Sequence, residues 1–180
     1  MLVVDTRRLQ VVVGEPVAVP DPTLLVHLQF RRFAGCPVCN LHLRSIVRRH
    51  DEITASGVRE VVVFHSSAAE LRPHVAGLPF AVVPDPQKRL YREFGVESSR
   101  RALLNPRVWP TILRAVARST WALLRGRERP PSLIPTGGRF GLPADFLIAP
   151  DGTVLASKYG DHAYDQWSVD ELLALAARAR

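Results

Sequence analysis

Apolar positions along the chain alternate between short unbroken runs and longer stretches spaced every three or four residues. TLLVHLQFRRF (23–33) reads as a strand of about eight residues. VREVVVFH (58–65) carries the continuous apolar run of a strand buried in a parallel sheet. PFAVVPD (79–85) is a third strand. Between them, PVCNLHLRSIVRRHDEITASG (37–57) predicts a helix, with Pro37 in its first turn and Gly57 past its end. Ser66 or Ser67 is placed to cap a second helix running to about Val75. PQKRLYREFGV predicts a third, ending at Gly95. Ahead of all these, LQVVV and PVAVP flank a Gly14-Glu15-Pro16 turn and read as a small hairpin. After them, PADFLIA and TVLASKYG flank Pro150-Asp151-Gly152, a hairpin signal, and SVDELLALAARAR is a terminal helix with Ser168 and Glu171 as a capping box.

Residues 97–139 interrupt this rhythm. They hold WPTILRAVARSTWALLRG, a predicted helix, and then the Pro- and Gly-rich RERPPSLIPTGGR. The order is β-α-β-α-β-α, an insertion, then β-β-α. With right-handed crossovers it builds an α/β fold whose central mixed sheet is flanked by helices. The reading is one domain over 1–180, with an N-terminal hairpin extension (1–23) and a helical insertion (97–139) before the last two strands.

Charge changes the picture of the insertion only. The chain carries +7 overall, with 22 Arg and 2 Lys; the 97–139 segment holds nine Arg and two acids, so the rest is neutral. In the insertion helix, Arg114, Arg118 and Arg125 gather near one face, and Trp109, Leu113, Val116, Leu123 and Leu124 around the other. The expectation is packing on its own domain. A dimer contact, a lid over Cys36 and a basic amphipathic surface are the alternatives. No nucleic-acid reader motif accompanies the basic patch, so nucleic acid is not an expected partner, and neither is a membrane. MLVVDTRRLQ lacks a basic region followed by an apolar one, and no stretch approaches 18 uncharged apolar residues, so the expectation is a reducing, cytoplasmic setting.

Both cysteines of the chain lie in FAGCPVC (33–39). Cys36 falls where a strand ends and a helix begins. There the free N–H groups and the positive end of the helix dipole favour the thiolate, the reactive form. Cys39 lies nearly one helical turn on, within reach of Cys36. After Cys36 attacks a peroxide or a disulfide, Cys39 can close an intramolecular disulfide. Arg31 and Arg32 add positive charge just before the pair, although adjacent strand residues face opposite sides. A zinc site would need four ligands; only His42 and His50 lie near, without a second ligand pair. Two inert buried thiols are the remaining alternative. A CxxC at a β-to-α junction inside a βαβ pattern favours the redox pair, with no metal and no organic cofactor.

FRRFAGCPVC, REVVVFHSS, LPFAVVPDPQKRLYREFGV and GLPADFLIAPDGTV together resemble the peroxiredoxin-like proteins of the alkyl hydroperoxide reductase/thiol-specific antioxidant (AhpC/TSA) family, within the thioredoxin-like superfamily. The resemblance covers about residues 24–95 and 140–180. It implies a thioredoxin-like fold, Cys36 as the attacking cysteine, Cys39 as the second cysteine, and a cis Pro143 facing them, with Leu142 free to pair with a substrate chain. Two departures bear on substrate. The family places Thr or Ser where this chain has Phe33, just ahead of Gly35 and the cysteine. It also places an Arg near the strand that here begins at Pro143, a role for which Arg139 is a candidate. His65, at a strand end, is expected to be a capped, solvated histidine, with a proton donor as the alternative. Trp167 is expected to pack, and Asp161 and His162 to lie in a loop.

These readings converge on a thiol-dependent oxidoreductase acting on a hydroperoxide or on a protein or small-molecule disulfide, recycled by a dithiol such as a thioredoxin. A disulfide reductase without peroxidase activity and a non-catalytic redox-sensing or binding module are the alternatives. A homodimer is compatible with all three.

Overall fold

The computed structural model describes residues 3–75, 77–96, 109–125 and 141–179. Its core is a five-stranded mixed sheet. β3 (Leu25–Arg31) lies at the centre, parallel to β4 (Val58–Phe64), which is parallel to the edge strand β5 (Ala81–Pro84). On its other side β3 runs antiparallel to β6 (Ala144–Ile148), which pairs with β7 (Val154–Tyr159). β1 (Arg7–Leu9) and β2 (Val17–Val19) form a separate antiparallel pair.

Alternation in β3 divides the interior. Val26, Leu28 and Phe30 point into an apolar cluster with Val61, Val63, Phe146 and Ile148, closed by Tyr91 and Phe94. Tyr91 belongs to α4 (Arg89–Glu93), whose first N–H groups are held by the Asp85 carboxylate. On the opposite face Leu147 packs with Ile46, Ile53, Trp167 and Leu172, while Val62 and Phe64 pack with Leu43 and Leu71. The helices covering this face are α1 (Pro37–Arg48), α2 (His50–Ala55), α3 (Ala68–Val75) and α6 (Val169–Arg178).

The stretch expected as one helix over 37–57 is two. The ladder breaks at Arg49, whose guanidinium pairs with Glu52 and with Asp170 of α6. Ser67 caps α3 reciprocally with Glu70, and Ser168 and Glu171 form the expected capping box on α6. Of the insertion, residues 109–125 are described and contain α5 (Trp109–Leu124). The Pro- and Gly-rich loop and Arg139 lie outside the described residues.

α5 packs on α1, as expected of a helix covering its own domain, but not through the apolar face that the sequence marked. Ile112 and Ala115 turn inward, and the large apolar residues Trp109, Leu113, Val116, Trp121 and Leu124 are exposed. No helix among the described residues is long and apolar enough to cross a membrane.

Candidate active site

β3 ends at Arg31 and the chain turns sharply before α1. Cys36 N–H donates to the Phe33 carbonyl at 3.2 Å, and Gly35 takes φ 74°, a conformation that costs a residue with a Cβ but not glycine. Pro37 then fills the first helical position, where no N–H is needed. This turn makes Cys36 the N-cap of α1, and its sulfur accepts the Cys39 N–H at 3.4 Å. A cysteine sulfur thus occupies the place usually taken by Ser or Asp, at the positive end of the helix.

Two more groups converge on the same atom. Arg32 Nη2 donates to Cys36 Sγ at 3.0 Å, and the Cys39 thiol lies 3.0 Å away and donates to it as well. Both cysteines are free thiols and both are buried. They titrate as a pair. The sulfur–sulfur hydrogen bond, reinforced by the Arg32 guanidinium, lowers one thiol, Cys39, to about 5. Desolvation, together with the neighbouring sulfur, pushes the Cys36 thiol up. The pair therefore gives up its first proton readily and its second with difficulty. The two sulfurs share the remaining proton, so the anion belongs to the pair, with the Arg32 guanidinium and the Cys39 N–H against it.

The pair is roofed by apolar groups. Phe33, Val38, Ala115 and Ala163 pack around it, with Ile112, Leu142 and Tyr164 at the margin. Arg32 lies 5.7 Å from the Phe33 ring centroid, so Phe33 covers both the guanidinium and the sulfurs. A substrate reaches Cys36 only by displacing part of this cover.

Phe33, Gly35, Pro37, Cys36 and Cys39 therefore meet in one place, and Leu142 joins them from the far end of the chain. Pro143 differs from expectation: the Leu142–Pro143 peptide is trans, and the cis bond among the described residues is Val19–Pro20. Trans is the favoured X–Pro isomer. The chain here enters β6 extended, with the Pro143 carbonyl accepting the Gly160 N–H at 2.9 Å. Pro143 packs under Gly160, where an added Cβ would come within 2.8 Å of its Cγ.

His65 is buried, with its backbone N–H on the Arg32 carbonyl and its ring edge-on to Tyr91. Neither ring nitrogen has a hydrogen-bond partner. Burial, aided by Lys88 and Arg32, brings it down to about 4, so it is neutral at pH 7. It stands beside Arg32 and makes no hydrogen bond to either sulfur. The described residues contain no cluster of three or more His, Cys, Asp or Glu suited to a metal. His162 lies in the expected loop, its ring accepting the Tyr164 N–H at 3.3 Å.

A buried polar network beneath the site escaped the sequence reading. His27, Gln29 and Arg31, all on one face of β3, are fully buried with Glu60 of β4 and Asp145 of β6. His27 Nδ1 meets Glu60 at 2.9 Å and Nε2 meets Asp145 at 3.2 Å; Arg31 reaches Asp145 at 2.7 Å, and Gln29 binds Glu60. With a carboxylate at each nitrogen, His27 is held as the imidazolium. Burial opposes this, but Glu60 and Asp145 prevail and raise it to about 9. The signal was the strict apolar–polar alternation of VHLQFR, which marks two faces without saying what covers the second.

A family model described as AhpC/TSA antioxidant enzyme matches residues 45–162. The chain belongs to this AhpC/TSA family. The match begins beyond Cys39, so it covers the scaffold and not the dithiol. No curated protein matches the chain. Among solved structures, peroxidoxin BcpB from Mycobacterium tuberculosis has a TM-score of 0.68 at 16% identity, covering 99% of this chain and 96% of that one. Peroxiredoxin Q from Xanthomonas campestris has a TM-score of 0.63 at 16% identity, covering 97% and 92%. A putative thiol:disulfide interchange protein DsbE from Chlorobium tepidum has a TM-score of 0.60 at 18% identity, covering 97% and 95%. The AhpC/TSA chain thus has the thioredoxin-like fold shared by peroxiredoxins and disulfide-exchange proteins, and is a thiol-dependent redox enzyme.

Proposed function

We propose that the protein is a thiol peroxidase in which Cys36 is the attacking sulfur and Cys39 the resolving one. The observation that carries this reading is the convergence of Arg32, the Cys39 N–H and the Cys39 thiol on Cys36 Sγ. The Cys36 thiolate attacks the distal oxygen of a hydroperoxide and breaks the O–O bond. The leaving alkoxide takes a proton and departs as an alcohol, and Cys36 becomes a sulfenic acid. Arg32, already within 3.0 Å of the sulfur, is placed to meet the charge that moves onto oxygen. Cys39 then attacks the sulfenic sulfur, water leaves, and a Cys36–Cys39 disulfide remains. An external dithiol such as a thioredoxin reduces it, itself becoming a disulfide.

Arg32 is the arginine this reading assigns to the sulfur; Arg139 lies outside the described residues. Leu142 and Phe33 shape the entry, and His65 meets Arg32 only through its backbone N–H. The cytoplasm and the division into one domain with an N-terminal hairpin and an insertion belong to the same reading. A second reading, a disulfide reductase with little peroxidase activity, is favoured by Phe33: an apolar ring covers the sulfur where a hydroxyl would orient peroxide.

The test is stopped-flow oxidation of the reduced protein by hydrogen peroxide and by a bulkier organic hydroperoxide. Cys39→Ser should accumulate a dimedone-reactive sulfenic acid on Cys36, and Cys36→Ser should lose all reaction. Oxidation no faster than that of a free thiol, with rapid reduction of a protein disulfide, would select the reductase.

A further inference from the structure

The outside of α5 is unused by the chemistry above. At about 100° per residue the helix divides into three zones. Ile112 and Ala115 occupy the edge turned to the cysteines. Trp109, Leu113, Val116, Trp121 and Leu124 fill a separate arc of about 140°, and they are 57, 65, 46, 57 and 78% exposed. Arg114, Arg118 and Arg125 line one border of that arc, and Arg125 stacks 4.3 Å over the Trp121 ring. Residues 109–125 contain no acid.

A helix apolar on two opposite sides has not finished burying its surface. The charge around it says what completes the burial. Beside α5, Arg44 and Arg48 of α1 add to the same positive region; Arg44 is shifted down by burial and by the nearby Arg118 and Arg48. Arg114, Arg118 and Arg125 share a helix that has no acid, so the complementary surface is anionic. A second copy of the chain would bring a second row of arginines to the contact. The Trp residues near both ends of the arc suit the boundary between headgroup and acyl chain. At 16 residues the helix is too short to span a bilayer, but it has the length and the sidedness to lie on one.

We propose that the outer face of α5 docks on an anionic lipid surface. Trp109, Leu113, Trp121 and Leu124 enter the interfacial layer, and Arg114, Arg118 and Arg125 meet lipid phosphates. This places the roof of the dithiol against the membrane, and it holds whichever oxidant Cys36 reduces.

The experiment is co-sedimentation of the full chain with vesicles of phosphatidylglycerol mixed with phosphatidylcholine, against vesicles of phosphatidylcholine alone. Binding is expected only to the anionic vesicles, weakening as salt rises. Arg118→Gln should lower the partition coefficient about fivefold, and removing all three arginines about a hundredfold. Leu113→Ser, at an exposed position, should lower it by a similar single-site factor while leaving thermal melting unchanged. If Leu113→Ser melts early, Arg118→Gln carries the test. Equal binding to both vesicle types, or none to either, overturns the proposal. So does a concentration-dependent dimer that Leu113→Ser dissociates, since it would mark the arc as a contact between copies.

Discussion

Arg31 and Arg32 are chemically identical neighbours with opposite duties. Arg31 is the last residue of β3, and its side chain turns to Asp145 under the sheet. Arg32 leaves the strand and turns to Cys36. A buried cation at hydrogen-bond distance stabilises a thiolate by roughly 1.5–3 kcal/mol. Arg32→Gln should therefore raise the first ionisation of the thiol pair and slow alkylation at neutral pH by about ten- to a hundredfold. The check is the pH dependence of the iodoacetamide rate at Cys36. An unmoved profile would assign the lowering to the helix start and Cys39 alone. The same profile locates the anion, since mass spectrometry shows which sulfur is alkylated first.

At the scale of elements, the dithiol is made by a strand end, a turn and a helix start, and is closed by a helix from the insertion. α1 supplies the N–H groups. α5 supplies the roof through Ile112 and Ala115. Fully burying an isoleucine is worth about 1.5–3 kcal/mol, of which half-buried Ile112 gains a part, so the roof controls access as well as stability. Ile112→Ser should loosen α5 and speed alkylation of the pair about tenfold or more at fixed pH, leaving the pH midpoint where it was. Arg32→Gln moves the midpoint, and Ile112→Ser moves the plateau. A roof variant that left the plateau unchanged would show that entry runs past Leu142 instead.

Across the whole molecule, the polar network ties β3, β4 and β6 together at fully buried positions. It imposes a pH limit on stability. His27 is raised from 6.5 to about 9 in the fold. Its contribution is complete below pH 6.5 and declines as the unfolded chain gives up a proton that the folded chain keeps. It is gone once pH passes about 9, a loss on the order of 3 kcal/mol. Urea melts taken from pH 6 to pH 9.5 should show this decline, and His27→Gln should flatten it. Asp145 lies below the ordinary carboxylate range: Arg31 and His27 outweigh the burial that opposes its charge. Asp145→Asn leaves two buried cations without their shared partner and should cost about 3–5 kcal/mol in the same melts.

Local signals were enough for much of this protein. Apolar runs, the caps at Pro37, Ser67 and Ser168, and the hairpin around Gly152 marked the strands and helices, because each depends on neighbours a few residues away. The CxxC at a strand-to-helix junction marked the dithiol for the same reason. The break of the long helix at Arg49 was hidden, since no glycine or proline marks it in the sequence. So was the trans Leu142–Pro143 bond, where a family likeness pointed to cis. The network was hidden too: His27, Gln29 and Arg31 look like the wet face of a strand until Glu60 and Asp145 are brought over them. Which arginine meets the sulfur, and which side of α5 faces inward, depended on packing between segments. Sequence by itself determined most of the strands and helices and where along them the two thiols lie. Only the tertiary structure decided which charges lose their water and find a partner, because burial is a property of the assembled sheet and helices and not of any one of them.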